Sequence, residues 1–422
     1  MKTFLQPLQN LAEMEEIQKQ AKKNRGILEI SGCMESQKAH LMYGLSGLFP
    51  CHLVIAADEK SAKELYEDYR FYDKRVYYYP AKDLLFFQAD IHGNLLIRQR
   101  MQVIRALLER EDEITVVTSI DGCMDYLAPL EKIEKQLIHF RNDSTLDMDK
   151  LTAALVHMGY ERVGQVEMPG QFSIRGGIID IYSLTEENPW RIELWGDEID
   201  SIRSFDAQSQ RSLENLDDVT IYPAAEQPME KNGVSFLDYF KETETLFFLD
   251  ELNHLEENAK AVQEEFQQSC ENRKEKGEIS LSGDWMCTWE ELCHKINDRN
   301  CVAMSLLDPK KSNWKISGQF NITVKSMSSY QSSFELLVKD LKQYKKEGYQ
   351  IVLLSGSRTR AERLAKDLQE EGLNAFYGQD SDRILQPGEI MVAYGHARRG
   401  FEYPLVKFAV ITETDIFVKE QK

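Results

Sequence analysis

The sequence predicts an α/β protein with three parts: a parallel-sheet domain, an antiparallel β-rich domain inserted into it, and a small C-terminal α/β domain. Short apolar runs alternate with helical patterns over the first 125 residues. The hydrophobic period then falls to two between Tyr160 and Phe205, as in half-buried antiparallel strands, and strand–helix alternation resumes further on. The predicted domains are 1–125 with 225–330, the insertion 126–224, and a linker helix with the small α/β domain at 331–422.

The first domain carries the signals of a parallel sheet flanked by helices. Four short apolar runs predict its first strands: Ile27–Ser31, Leu53–Ala57, Val76–Tyr79 and Ile114–Ser119. Helical spacing of apolar residues predicts helices between them, at about Ser36–Phe49, Glu59–Asp73 and Leu95–Leu108. After the insertion, Thr245–Asp250 predicts a further buried strand and Glu251–Cys270 a long polar helix.

The insertion is predicted to be an antiparallel meander of about four strands. The alternating segments are Phe172–Arg175, Ile178–Tyr182, Trp190–Trp195 and Glu198–Phe205. Gly176-Gly177 and Gly196-Asp197 separate them in pairs, and glycine supplies the positive φ that tight hairpin turns require. Pro223 marks the exit from this region.

The C-terminal part is predicted to begin with a long amphipathic helix at about Ser332–Glu347 and to continue as a small α/β unit. Its further elements are a strand at Gln350–Ser355, a helix at Arg358–Glu371, and strands at Ile390–Ala393 and Phe408–Thr412. Between the last two strands, Arg398-Arg399-Gly400 could suggest a helicase arginine motif, but without a motor around it we expect a solvated loop.

Composition and charge favour a cytosolic protein whose partners are other proteins. The 422 residues include 51 Lys and Arg against 70 Asp and Glu, a net charge of −19, whereas proteins that neutralise DNA phosphates usually present a basic face. We find neither a signal peptide nor an apolar run of the roughly 18 residues that span a bilayer, so no membrane association is expected. Seven cysteines, an odd number, favour reduced thiols and a cytoplasmic location.

A phosphate-loop-like segment follows the first predicted strand. Gly32 and Lys38 keep the first glycine and the lysine of the pattern G-x-x-x-x-G-K-[ST]. Gln37 replaces the second glycine and puts a side chain where backbone N–H groups wrap around phosphates, while Ala39 lacks the hydroxyl that ligates Mg²⁺. Glu35 adds a negative charge beside the phosphates. The first domain is therefore predicted to be a degenerate P-loop NTPase-like domain.

An acidic pair, Asp250-Glu251, ends a later predicted strand in the manner of a Walker B segment. In a working ATPase such carboxylates hold the metal and orient the attacking water. Because two phosphate-loop positions are lost, we interpret the pair as a remnant of an ancestral nucleotide site. We expect no catalytic residue and no cofactor.

A zinc site is the remaining metal candidate. Cys287, Cys293, His294 and Cys301 have the spacing C-x5-C-H-x6-C, which lacks the tight C-x-x-C knuckle of structural zinc sites. Free thiols explain these residues better, so we expect no metal.

One long segment resembles the module shared by the excision-repair protein UvrB and the bacterial transcription-repair coupling factor. The resemblance lies in Gly159–Val163, Gly170–Tyr182, Arg191–Arg203 and Phe205-Asp206, and in the C-terminal stretches Gly400–Pro404 and Val410–Phe417. UvrB has an intact P-loop and a long DNA-clamping hairpin in its first domain. Here the P-loop is broken, and only Pro80–Asn94 separates strand from helix, so the sequence is more similar to the N-terminal, UvrB-like region of the coupling factor.

The resemblance implies that the inserted domain binds the excision-repair protein UvrA. The residues it points to are Arg162, Arg175, Arg191, Glu193, Phe172 and Asp180, of which we expect Phe172 to lie at the edge of the core. Strand alternation supports this, because Arg191 and Glu193 share the face opposite Ile192 and Leu194. The alternative is that these charges form cross-strand pairs that only solubilise the sheet. We expect Arg162 to extend the same patch and charge reversal at Arg175 with Arg191 to leave the fold intact.

The function implied by the resemblance is recruitment of UvrA to stalled transcription complexes for nucleotide excision repair, without catalysis by this chain. In the family, further parts bind RNA polymerase and act as an ATP-dependent translocase on double-stranded DNA; they are absent from this sequence. Two alternatives stay open. A UvrB-like damaged-DNA-binding module would show salt-sensitive DNA affinity, and a cryptic ATPase would show turnover that depends on Lys38.

Overall fold

The computed structural model describes residues 1–23, 25–82, 94–111, 113–226, 233–276, 286–307, 313–378 and 382–417. The predicted short connection at Pro80–Asn94 falls mostly outside these residues. The three-part α/β architecture predicted from the sequence is confirmed.

The first part of the chain alternates helices with parallel strands. Its helices are α1 (Lys2–Gln9), α2 (Met14–Lys23), α3 (Glu35–Ser46), α4 (Glu59–Tyr69) and α5 (Asn94–Glu109). Its strands are β1 (Gly26–Ser31), β2 (Cys51–Ala56), β3 (Val76–Tyr79) and β4 (Ile114–Ser119), followed by the short β5 (Tyr126–Leu127).

The inserted part is antiparallel. Its helices are α6 (Leu130–Glu134) and α7 (Met148–His157). Its strands are β6 (Ile138–Arg141), β7 (Glu161–Arg162), β8 (Gln171–Arg175), β9 (Ile178–Ile181), β10 (Trp190–Trp195), β11 (Glu198–Phe205), β12 (Ser212–Leu216) and β13 (Asp218–Ile221).

The chain then returns to the first domain and continues into the C-terminal one. The returning elements are β14 (Val234–Ser235), β15 (Thr245–Asp250), α8 (Leu252–Glu275), α9 (Trp289–Asn297), β16 (Asn300–Ser305) and β17 (Ile316–Asn321). The C-terminal elements are β18 (Lys325–Ser326), α10 (Phe334–Glu347), β19 (Gln350–Ser355), α11 (Arg358–Glu370), β20 (Ala375–Tyr377), β21 (Ile390–Tyr394), β22 (Phe401–Tyr403), β23 (Phe408–Thr412) and α12 (Glu413–Ile416).

A seven-stranded sheet in the order β17-β1-β16-β15-β2-β4-β3 forms the centre of the first domain, and every pairing in it is parallel. Both faces are covered, because alternate residues of one strand enter different cores: Val54 and Ala56 pack on one side, Leu53 and Ile55 on the other. The carboxyl ends of β1 and β15 bring the phosphate-loop-like segment and the acidic pair Asp250-Glu251 to the same edge.

The inserted domain is a six-stranded sheet in the order β12-β11-β10-β9-β8-β7. The predicted four-strand meander, β8 to β11, is confirmed, and the structure adds one strand at each edge. The inner face packs on α7 through Leu151 and Leu155. The outer face presents mostly polar side chains.

Both connections of the insertion meet at one buried arginine of α5. The Arg100 side chain is fully buried and donates to the Pro80 carbonyl and to Asp125 Oδ2, each at 2.9 Å. It also pairs with Glu226, and its guanidinium lies 4.2 Å from the centre of the Tyr79 ring. Asp125 and Glu226 flank the inserted domain on its two sides, so one guanidinium fixes both crossings to the parallel sheet.

The C-terminal domain is a mixed sheet in the order β18-β22-β23-β19-β21-β20. The helix predicted to be a linker, α10, belongs to the core of this domain through Leu337, Val338 and Leu341. Strand β18 pairs with β22, so this sheet begins before residue 331. Residues of this domain such as Tyr403 and Phe408 also share a continuous apolar core with α1 and α3, and the domain is therefore packed firmly on the first one.

Candidate functional site

The outer face of the antiparallel sheet carries two rows of side chains that face away from the core. The cross-strand register aligns Ser173, Asp180, Arg191 and Arg203 in one row and Arg175, Ile178, Glu193 and Ser201 in the next. The alternation of β8 to β11 produces these rows, because their intervening residues enter the core. The predicted placement of Arg191 and Glu193 on one face is thus present in the structure.

Asp180 is the centre of the charge network on this face. Its carboxylate is only 1% exposed and accepts from Arg175 Nη2 at 2.8 Å. Arg191 donates two hydrogen bonds to this carboxylate, from Nε to Oδ1 at 2.7 Å and from Nη2 to Oδ2 at 2.8 Å. Such a forked, charge-assisted pair fixes the orientation of both partners. The Arg175 side chain remains 48% exposed, so it can also reach a second molecule.

Arg191 is a structural side chain as well as a surface one. It is 14% exposed, lies 4.4 Å above the centre of the buried Phe205 ring, and donates to Gln210 Oε1 at 3.0 Å. Reversing its charge would place a carboxylate beside buried Asp180 and uncover the ring. These contacts lead us to expect that reversal of Arg175 and Arg191 together destabilises the fold through Arg191, in contrast to the expectation from the sequence.

Glu193 is paired with Arg203, which was not among the predicted contact residues. Arg203 Nη2 donates to Glu193 Oε1 at 2.6 Å and Nη1 to Oε2 at 3.1 Å. The period of two along β11, which places Ser201 and Arg203 on the same face, was the available signal. The cross-strand pairs weighed as an alternative do form, and they order the face.

Two other predicted contact residues lie elsewhere. Phe172 is fully buried among the apolar side chains of the inner face, so its ring supports the sheet and does not face solvent. Arg162 is exposed but pairs in register with Phe172, which directs it to the inner side. There it borders a groove with Ile174 and residues of α7 such as Val156. Arg162 therefore does not extend the patch formed by Arg175 and Arg191.

In the phosphate-loop-like segment, three consecutive backbone donors are used within the protein. Gly32 N–H donates to the Leu306 carbonyl at 3.2 Å and Cys33 N–H to the Ser305 carbonyl at 3.0 Å. Met34 N–H donates to Gln37 Oε1 at 3.0 Å, as a cap on α3. Gly32 has a φ of +82°, and a Cβ there would lie 2.1 Å from a backbone oxygen, which explains why the first glycine is kept.

Lys38 is neutralised by the acidic pair. Its Nζ lies 2.6 Å from both Asp250 Oδ1 and Glu251 Oε1, and its side chain is only 8% exposed. Burial lowers the pKa of Lys38, but the two carboxylates outweigh burial and raise it above its ordinary value. Burial raises the pKa of Asp250, against the opposing effect of Lys38. The ammonium group that would meet phosphates in a P-loop is thus held by the strand-end acids.

Gln37 connects this segment to the C-terminal domain. Its Nε2 donates to the Tyr403 hydroxyl at 2.9 Å, and that hydroxyl lies 3.1 Å from His40 Nδ1. His40 Nε2 lies 2.7 Å from the Phe4 carbonyl, which can only accept, so Nε2 carries the proton and Nδ1 accepts from Tyr403. Ala39, where a P-loop has its hydroxyl, is fully buried.

Arg398, expected in a solvated loop, is instead an interdomain contact. Its backbone N–H donates to Asp68 Oδ1 at 2.9 Å, its Nε to Asp68 Oδ2 at 3.0 Å, and its Nη1 to Glu64 Oε2 at 2.6 Å. Asp68 is 1% exposed, so the pair is closed off from solvent on the α4 side. Arg399 is 56% exposed, and its Nε lies 3.8 Å from Glu35 Oε2. This residue therefore agrees with the predicted solvated loop.

Comparison with known families and proteins bears directly on the inserted sheet. The family model described as "UvrB interaction domain" matches residues 138–226, which contain β6 to β13. A "Transcription-repair-coupling factor" of Bacillus subtilis (strain 168) is 29% identical over 93% of this chain and 39% of its own length. A protein of the same name from Staphylococcus haemolyticus (strain JCSC1435) is 26% identical over 82% of this chain and 34% of its own length.

The predicted resemblance is confirmed. Residues 138–226 match the model of the UvrB interaction domain, and the chain is similar over most of its length to transcription-repair-coupling factors. The matched part of the chain covers 39% of the length of the Bacillus subtilis protein and 34% of the length of the Staphylococcus haemolyticus protein. The similarity includes the interrupted parallel-sheet domain as well as the insertion, because it covers nearly the whole chain.

Neither a metal cluster nor a membrane-spanning helix is found among the residues that the structure describes. No group of three His, Cys, Asp or Glu side chains there is arranged to hold an ion. Cys287 and Cys301, weighed as zinc ligands, are buried free thiols, and burial raises the pKa of Cys287 to about 12. No helix in this part of the chain has the length and apolar character to cross a bilayer.

Proposed function

We propose that this chain is a non-catalytic recruitment module that binds UvrA through the outer face of its inserted sheet, as part of coupling between transcription and nucleotide excision repair. The single observation that carries the proposal is the match of residues 138–226 to the UvrB interaction domain, on a sheet whose outer face is ordered by the Arg175–Asp180–Arg191 network. UvrA follows from the resemblance to UvrB, and the role in transcription from the coupling factors to which the chain is similar.

The chemistry of the face supports a protein partner. Arg175 is half-exposed and pre-oriented by a buried carboxylate, so little side-chain entropy is lost when it meets an acceptor. Arg203 and Glu193 are each about a quarter to a third exposed and provide further groups for hydrogen bonds. Phe172 supports the sheet from its buried inner face, and Asp180 orients Arg175 and Arg191. We assign Arg162 to a separate groove that can contribute independently.

The degenerate nucleotide site supports a function without hydrolysis. Three consecutive backbone donors of the loop are bonded inside the protein, Lys38 is held by two carboxylates, and Gln37 is tied to Tyr403. A triphosphate would have to displace all of these contacts and repel Asp250 and Glu251. The likeness to a P-loop NTPase is therefore one of architecture, and we place RNA polymerase and DNA among the partners of other regions of the larger proteins.

Arg175→Glu tests the proposal. We expect the wild-type chain to bind purified UvrA in isothermal titration calorimetry and the variant to bind at least about tenfold more weakly, because the reversed charge sits on the contact face. The matched control is Arg141→Glu, the same change at an exposed position on the β6–β13 ribbon, which should keep wild-type affinity. Unchanged binding by Arg175→Glu would exclude this face.

A further inference from the structure

The most exposed large apolar side chain in the described residues is a tryptophan on the inserted sheet. Trp195 is 83% exposed, whereas Trp190 on the same strand is 7% exposed and belongs to the core. Alternation along β10 places Trp195 on the face of Arg191 and Glu193, beyond the end of the charge network. An indole left in water exposes much of the roughly 150–250 Å² that an aromatic side chain can bury.

The surroundings of Trp195 keep it uncovered. The β8–β9 turn, Gly176-Gly177, lies beside it, since Leu194 N–H donates to the Gly177 carbonyl at 2.8 Å. Gly196 follows directly, with a φ of +64°. Neither Gly176 nor Gly196 has a heavy atom within 4 Å of an added Cβ, so both border open space. The glycines that make the two turns also leave no side chain to pack over the indole.

The backbone beneath Trp195 is held in place. Leu146 N–H donates to the Asp197 carbonyl at 2.7 Å, and Ile199 N–H to the Ser144 carbonyl at 2.8 Å. The segment between β6 and α7 therefore braces the β10–β11 turn from outside the sheet. A large, two-torsion aromatic side chain on a fixed turn loses little entropy on binding, which is the usual property of an interface anchor.

Resting on the function proposed above, we infer that Trp195 is the apolar anchor of the UvrA contact, with Arg175 as its charged neighbour at the same end of the sheet. The partner surface that fits this pair is an apolar pocket wide enough for an indole, with an acceptor for its N–H and carboxylates at the rim for Arg175. Beside Trp195 lies the charge network, which would fix how the partner is aligned along the sheet. The network consists of Asp180, Arg191, Glu193 and Arg203. Ile178 is half-buried and lies on β9, between Arg175 on β8 and the strand of Trp195, so it extends the apolar surface around the indole.

Three variants of the full 422-residue chain test this inference by calorimetry with purified UvrA. We expect Trp195→Ala to weaken binding at least about 30-fold, as for other central aromatic anchors, and Trp195→Phe to retain affinity within about fivefold. The control is Leu213→Ala, a 55% exposed apolar side chain on edge strand β12 of the same sheet, which should stay within about twofold of wild type. Because Trp195 is exposed, the melting temperature should not change.

The outcomes separate the inference from the function on which it rests. If the wild-type chain binds UvrA, Arg175→Glu weakens binding and Trp195→Ala does not, the anchor is overturned while the proposed function stands. If the wild-type chain does not bind UvrA, the proposed function fails, and the inference with it. Equal losses in Trp195→Ala and Leu213→Ala would also overturn the inference, because the indole would then have no special place in the contact.

Discussion

The side-chain amide of Gln37 donates a hydrogen bond to the Tyr403 hydroxyl at 2.9 Å, across 366 positions of sequence. Gln37 stands where a P-loop has its second glycine, so the residue that blocks the phosphate cradle also joins the first domain to the C-terminal one. The Tyr403 hydroxyl donates a hydrogen bond to His40 Nδ1, and His40 Nε2 donates to the Phe4 carbonyl of α1. The side chain that stands at the second-glycine position of a P-loop therefore also helps to attach the C-terminal domain to the first domain.

A first prediction is that ATP, with or without Mg²⁺, produces no saturable thermal shift. Lys38, Gln37 and several backbone donors of the loop are already engaged within the protein, so a nucleotide would have to displace these contacts in order to bind. A ligand present at 100 times its Kd would add about 2.7 kcal/mol of stability, which a melting curve resolves easily. Differential scanning fluorimetry across an ATP titration is the measurement, and a saturable rise would restore the ATPase alternative.

A second prediction concerns pH and His40. Burial lowers the pKa of His40 to about 4 from an ordinary value of 6.5, so the folded protein keeps it neutral when the unfolded chain protonates it. The unfolded state binds more protons between pH 6.5 and 4, and stability must therefore fall as pH falls through that window. At pH 5 this one group removes about 2 kcal/mol relative to pH 7.

The His40 prediction is checked by urea unfolding of the wild type and of His40→Gln at pH 7 and pH 5. The variant keeps polar groups near Tyr403 and Phe4 but does not titrate, so its loss on acidification should be smaller by that amount. Carboxylates elsewhere contribute equally to both proteins and cancel. The same pH dependence in both would show that His40 is not protonated on unfolding in this range.

A third prediction compares two neighbouring arginines at the domain interface. Arg398→Ala leaves Asp68 buried without its cation and should lower the free energy of unfolding by about 3 kcal/mol. Arg399→Ala removes an exposed pair with Glu35 at 3.8 Å and should cost less than about 1 kcal/mol. Chemical denaturation of both variants measures the difference. Similar small losses in both would mean that Arg398 does not hold the two domains together.

Strong period-two and apolar signals made much of the fold predictable. The meander β8 to β11 and the buried strands β1, β2, β4 and β15 follow from local pattern alone. Strand β17 (Ile316–Asn321) was missed because it is an edge strand with several exposed or half-exposed positions and no clean alternation. Strand β16 was missed because its sequence, Asn-Cys-Val-Ala-Met-Ser, is short and mixed, and only its central position between β1 and β15 makes it a strand.

The side of the sheet on which the site residues lie was predictable from the sequence, but the extent of their burial was not. Alternation assigned Arg191 and Glu193 to the outside, and the resemblance pointed to Asp180. The carboxylate of Asp180 is covered by the two arginines that it binds, and this arrangement depends on three strands at once. The face of Arg162 depends on the register of β7 against β8, and nothing local in the sequence fixes that register. The partner of Gln37 could not be inferred, because the Tyr403 contact exists only once the two domains are packed.

Arg100 has a mechanical consequence for the molecule. The inserted domain is attached covalently at both of its ends, and Asp125 and Glu226 near those ends converge on the same buried guanidinium. A force exerted on the inserted sheet by a bound protein would act on these two ion pairs of Arg100 as well as on the covalent connections to the parallel sheet. The insertion is therefore joined to its host domain by shared ionic contacts as well as by its two covalent connections.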